Sequence, residues 1–110
     1  MAYLPMELIE TSVFSRRIDE LLDAESYRAL QLYLDGRPGA GLVVPGLGGI
    51  RKLRWSLPGS GRRGGLRVLY YWHVARSRLL LLMVYRKNER ADLTSRQAAA
   101  LRNLILKELR

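Results

Sequence analysis

The chain has no cysteine and a single histidine. Between Gly36 and Asn88 it also has no aspartate or glutamate. The first absence removes disulfides and thiolate chemistry, so the fold must come from packing alone. One histidine and a carboxylate-free centre leave no ligand set there for Zn²⁺ or Mg²⁺. They also leave no Ser–His–Asp triad around His73 and no pair of glycosidase carboxylates. No apolar run approaches the roughly 18 residues of a membrane-crossing helix. Glu7 and Glu10 interrupt the order expected of a signal peptide, so a cytoplasmic protein is expected, with no membrane partner.

The acid-free window is instead full of cations. It holds Arg37, Arg51, Lys52, Arg54, Arg62, Arg63, Arg67, Arg76, Arg78, Arg86 and Lys87. Sixteen of the nineteen basic residues in the chain are arginine, and the net charge is +9. Seven of the ten acids precede residue 36 and three follow residue 88. Arginines placed for solubility are usually interleaved with acids. A run of positive charge without them repels itself until a polyanion neutralises it, and phosphate is the counter-charge that arginine holds in fixed geometry. RNA or DNA is the partner this composition favours.

With 110 residues, of which 48% are apolar, the chain has room for one domain, residues 1–110. Residues 6–10 alternate as a short edge strand. Phe14, Ile18, Leu21 and Leu22 form the apolar stripe of a helix expected from Ser15. Asp23 is placed to cap a second helix with the stripe Tyr27, Leu30 and Leu34, ended by Gly36 and Pro38. Residues 36–49 contain six glycines and two prolines and read as a structured loop. Three strands follow, over 50–57, 66–75 and 79–86, with Arg76-Ser77 as a hairpin turn and 58–65 as a basic loop. Thr94 and Gln97 form a capping box for a last helix with the stripe Ala98, Leu101, Ile105 and Leu109. The expected fold is α+β, in the order β-α-α-β-β-β-α, with an antiparallel central sheet.

One chemistry suits such a sheet: cleavage of RNA without a metal. RNA carries its own nucleophile, the 2′-hydroxyl. The protein has to align it, remove its proton, stabilise the phosphorane and protonate the leaving 5′-oxygen. Alternation places Lys52 with Arg54, Arg67 with Tyr71 and His73, and Tyr85 with Lys87, each set on one face of its strand. Tyr71 and Tyr85 suit base stacking or core packing equally, and His73 suits a satisfied structural histidine as well as an acid–base role. Arg62 and Arg63 read as a phosphate clamp in a Gly-rich loop, and Arg76 and Arg78 as solvated turn residues.

The segments PGLGGIRKLRW (45–55), GSGRRGGLRVLYYW (59–72) and LLLMVYRKNERADLT (80–94) resemble the RelE/ParE superfamily of bacterial toxins, in its HigB-like branch. The resemblance spans essentially the whole chain. It implies a RelE-like, microbial-ribonuclease-type fold with an N-terminal helical hairpin and a C-terminal helix. It further implies a toxin of a type II toxin–antitoxin system, an endoribonuclease that cuts mRNA in the ribosomal A site without a cofactor. A cognate HigA-like antitoxin with a helix-turn-helix domain is the implied partner. The catalytic candidates are Lys52, Arg54, Arg67, Tyr85 and Lys87, and the RNA-contact candidates are Arg51, Arg62, Arg63, Tyr71 and His73. The functional tyrosine that RelE carries near its C-terminal end has no counterpart in ADLT, which leaves Tyr85, Tyr71 or Lys52 alone for its task. The ParE branch, which poisons DNA gyrase, and an inactive RNA-binding member are the alternative readings.

Overall fold

Thr11 decides where the first helix starts. In the computed structural model, which describes residues 6–57, 65–89 and 93–109, strand β1 (Glu7–Glu10) runs straight into this residue. The Thr11 hydroxyl accepts the Phe14 N–H at 3.1 Å, so helix α1 spans Ser12–Leu21. It begins three residues before the expected Ser15, because a threonine cap satisfies the orphan donors of the first turn there. Leu22 is extended and ends α1. Asp23 then accepts the Ser26 N–H at 2.7 Å and caps helix α2 (Ala24–Gly36), as expected. Phe14, Ile18, Leu30 and Leu34 are fully buried, and the Phe14 and Tyr27 rings meet between the two helices.

Strands β2 (Leu42–Val43), β3 (Arg51–Trp55), β4 (Leu66–His73) and β5 (Arg78–Arg86) complete one five-stranded sheet with the order β1-β5-β4-β3-β2. β1 lies parallel to β5, and every other pairing is antiparallel. The stretch 36–49 is therefore not loop throughout, since its Leu42 and Val43 pair with Lys52 and Arg51 at the sheet edge. β4 stops at His73, and a 3₁₀ turn over Val74–Arg76 with Ser77 in the left-handed region leads into β5. Helix α3 (Ser95–Glu108) carries the expected capping box of Thr94 and Gln97.

The sheet separates two apolar layers. On one face α1 and α2 cover Leu53, Leu66, Val68, Tyr70, Leu79, Leu81 and Val84. On the other, Leu101 and Ile105 of α3 pack on Leu69, Leu80, Leu82 and Tyr85. Leu109, expected in the α3 stripe, is exposed, as is Leu104 beside it. A bulge in β5 sets the division. Leu69 pairs with Met83 and Tyr70 with Leu81, which leaves Leu82 without a partner. One extra residue reverses the alternation beyond it.

The C-terminal end of α3 is fixed by charge. Glu108 receives a hydrogen bond from His73 Nδ1 at 3.0 Å and another from Arg78 Nη1 at 3.2 Å. Arg78 Nε in turn reaches Glu7 of β1 at 3.1 Å. Arg78 is thus a structural crosslink rather than a solvated turn residue. The His73 hydrogen bond, then the Arg78 contact, holds the Glu108 carboxyl below its ordinary 4.5. A depressed carboxylate stabilises the folded state above the unfolded pKa, and this contribution disappears as pH falls through the folded value. Glu108→Gln should therefore lower the melting temperature by a few degrees at neutral pH. In thermal melts the gap to wild type should close as pH drops from about 5 towards 3; a gap of constant size would show that the carboxylate does not anchor α3.

Candidate functional site

Register brings the strand cations together. Arg54 lies directly opposite Arg67, and Arg67 directly opposite Tyr85, so three adjacent strands form one cross-sheet row. Lys52 stands two residues from Arg54 in β3, in the next row with Leu69 and Met83. All of these residues share the α3 face, because Leu53 and Val84 between them point to the helical hairpin. Beyond the end of β5, exposed Lys87 is held beside the start of β4 by its N–H, which donates to Gly65 O at 3.2 Å.

Two openings meet at Lys52. A cleft of about 540 Å³ at the β2 edge is lined by Lys52, Arg54 and Arg67 together with apolar residues of the 40–45 segment. A smaller cavity of about 210 Å³ under the start of α3 is lined by Lys52 and Tyr85, with Leu93 and Ala98. Tyr85 is 6% exposed and belongs to the α3-side core. Arg54 is exposed, and Arg67 is half-buried with its guanidinium 3.3 Å from Leu66 O.

Placing Arg54 opposite Arg67 sets like charges across a strand pair, which is locally destabilising. Among the described residues no carboxylate pairs with Lys52, Arg54 or Arg67. Other cations do find partners: Arg17 bonds Glu20 and Glu89, Arg86 bonds Glu89, and Arg78 bonds Glu7 and Glu108. Lys52, Arg54 and Arg67 instead line the two openings. Such a group can clamp a phosphate through arginine forks and charge-assisted hydrogen bonds. Among the described residues no group of three His, Cys, Asp or Glu side chains is placed to hold a metal ion, and no helix is long and apolar enough to cross a membrane.

Three of the RNA-contact candidates lie elsewhere than the row. Arg51 has the opposite parity to Lys52 and spends its guanidinium on the backbone, donating to Gly41 O at 2.8 Å and Gly39 O at 3.3 Å. His73 is buried and bound to Glu108, six residues or roughly 20 Å along β4 from Arg67. Tyr71 is half-buried under the 45–49 turn, where a Cβ on Gly49 would come within 3.2 Å of its ring at a φ of +105°. Arg62 and Arg63 lie outside the described residues.

Tyr70, which reads in the sequence only as a core aromatic, has a positioning role. Its phenol donates to Pro38 O at 2.7 Å and accepts the Gly41 N–H at 2.8 Å. Burial pushes its pKa up, so it remains a protonated donor. Gly41 is required by this approach, since a Cβ there would sit 2.9 Å from the Tyr70 ring and hydroxyl. Tyr70 and Arg51 together tie the 38–43 segment, and with it one wall of the cleft, to the central strands.

No protein-family model matches the sequence. Among solved structures the chain is similar to the E. coli toxin RelE in the free state, solved as a double arginine-to-alanine mutant. The TM-score is 0.60 at 14% identity, and the match covers 93% of this chain and 99% of that one. The fold is RelE-like over 93% of the chain.

Tyr70→Phe removes the hydroxyl that both satisfies the Gly41 N–H and donates to Pro38 O. The expected cost is about 1–3 kcal/mol, read from the urea midpoint at unchanged m-value. A variant as stable as wild type would remove Tyr70 as the clamp of this edge.

Proposed function

We propose that this protein is a metal-free endoribonuclease toxin of the RelE kind, which cuts mRNA in the ribosomal A site. The observation that carries the reading is the row Arg54, Arg67 and Tyr85 with Lys52 beside it on one face, where among the described residues no carboxylate pairs with the three cations. The RelE-like fold supports it.

The chemistry follows from which groups can move a proton. The 2′-oxygen attacks the adjacent phosphorus, the 5′-oxygen leaves, and a 2′,3′-cyclic phosphate forms. One proton comes off the 2′-hydroxyl and one goes to the leaving 5′-oxygen. Arginine stays charged throughout and serves only as a donor. Arg67, in the centre of the row, and Arg54 opposite it therefore grip the scissile phosphate and stabilise the charge that builds on it. Proton transfer falls to the lysines and the phenol on the same face: Lys52 and Tyr85, which share the inner cavity, and Lys87 at the strand end. Before the substrate arrives, the unbalanced charge of this face suits an acidic segment of a cognate antitoxin, of the HigA type with a helix-turn-helix domain.

Arg67→Ala should abolish growth arrest on induction and lower cleavage on translating ribosomes by at least about 10²-fold. Its circular dichroism spectrum and melting temperature should stay close to wild type, because the change relieves a like-charge contact. Mapping mRNA 5′ ends after induction should give codon-positioned cuts for wild type and none for the variant. A fully toxic Arg67→Ala would sink the site assignment, and gyrase-dependent DNA breaks in place of mRNA cuts would sink the activity.

A further inference from the structure

The cleft at the β2 edge contains more than phosphate-binding groups. Leu42 and Val43 are 78% and 55% exposed, although both are large apolar residues on a sheet edge. An exposed apolar edge invites unwanted pairing, and natural sheets usually protect such a strand with charge. Here the exposed pair lines the same cleft as Lys52, Arg54 and Arg67. Tyr33 of α2 lines it as well, its ring packed on Trp55 at 5.3 Å between centroids and beneath the Arg37 guanidinium. Leu42, opposite Lys52, lies on the cationic face, whereas Val43, opposite Arg51, has the other parity and lies on the side of Tyr33. The cleft thus wraps round the sheet edge, with cations on one side and apolar groups along its rim. The volume of about 540 Å³ lies within the range of small-molecule sites.

The apolar wall is fixed in place. Gly41, next to Leu42, is bonded through its N–H to Tyr70 and through its carbonyl to Arg51. On the other side Val44 N–H donates to Ile50 O at 2.8 Å. A short strand tied at both ends presents its side chains at little further entropic cost on binding.

We propose that this cleft is a nucleobase subsite. The nucleotide next to the scissile phosphate lays its base on the exposed Leu42–Val43 rim, while its phosphate rests on Arg54 and Arg67. The proposal deepens the ribonuclease reading and rests on it for the identity of the ligand as RNA. Every face of a nucleobase is apolar and its backbone is anionic, so a single nucleotide matches both walls at once. A carboxylate-bearing peptide would use the cations equally well, but it would cover the Leu42–Val43 rim only where it also carried apolar side chains. The subsite makes Leu42 and Val43 the residues that distinguish a nucleotide from a bare phosphate backbone, whichever base it carries.

The test is a binding measurement on RNA that cannot be cut. The probes are a 2′-O-methyl trinucleotide and the same backbone with its bases removed, titrated at fixed low salt into wild type, the L42A/V43A double variant and Arg54→Ala. Wild type should bind the trinucleotide roughly tenfold more tightly than the abasic backbone. L42A/V43A should reduce that preference to about twofold or less with the abasic affinity unchanged, and Arg54→Ala should weaken both probes alike. Both residues of the double variant are exposed, so its fold is checked simply by circular dichroism. Equal affinity of wild type for the two probes overturns the proposal, as does a double variant that keeps the preference or weakens both probes equally. An acidic, leucine-containing peptide that binds the cleft with no base preference in the RNA would assign it to protein docking instead. Cleavage is scored separately on translating ribosomes. A protein that shows the base preference but cuts no mRNA loses the ribonuclease reading and keeps the subsite, whereas one that cuts mRNA without the preference loses only the subsite.

Discussion

The place of the phenol on the basic face depends on one extra residue in β5. With strict alternation Tyr85 would share the parity of Leu79 and Leu81 and point into the layer under α1 and α2. The unpaired Leu82 shifts the pattern, so that Leu82 and Met83 both turn towards α3, Val84 turns back, and Tyr85 joins the row of Arg54 and Arg67. A bulge leaves backbone groups that the ladder cannot satisfy. Thr11 supplies the missing partners, donating its hydroxyl to Leu82 O at 2.8 Å and its N–H to Leu81 O at 3.0 Å. The same hydroxyl oxygen caps α1. The end of the edge strand, the start of the first helix and the orientation of a site phenol are thus set by one side chain.

Much of this arrangement is legible in the sequence, because the signals behind it are local. Capping by Asp23 and by the Thr94–Gln97 box needs only neighbouring residues, and the stripe of α2 is a matter of spacing. The sharing of a face by Lys52 and Arg54 follows from strand period alone. What stays hidden is non-local. The partner of Thr11 is seventy-one residues away. Neither the bulge at Leu82 nor the pairing of Leu42 with Lys52 has a marker in the segment that carries it. Arg51 illustrates the same limit. In the sequence it is one cation among eleven, and only the folded chain shows its guanidinium committed to Gly41 O and Gly39 O. His73 differs, since the structural reading open to it in the sequence is the one that Glu108 fills.

The distribution of charge has two regimes. Acids from outside the central window reach back to selected arginines: Glu7 and Glu108 to Arg78, Glu89 to Arg86 and Arg17. These contacts lie where β1, α3 and the turn after β5 meet the sheet, and all but Arg86–Glu89 join segments far apart in sequence. The Glu108 carboxylate is largely buried, whereas the exposed pairs made by Glu7 and Glu89 contribute little individually. Their value here is in geometry, because they hold the covering elements without placing a carboxylate near Arg54 or Arg67.

That exclusion has an energetic logic. An aspartate beside Arg67 would relieve the repulsion from Arg54 and stabilise the sheet, but it would also occupy the guanidinium that a phosphate needs. A surface pair is worth at most about 1 kcal/mol, so omitting it costs the fold little. A preorganised cation facing developing negative charge in a water-poor site is worth several times as much to a reaction. The repulsive pair lies one residue from the end of β3 and one from the start of β4, beyond the reach of β2. Each of its strands is anchored there by buried neighbours, Leu53, Leu66 and Val68 beneath and Leu69 beside. Without those neighbours the two guanidinium groups would move apart and lose their fixed spacing.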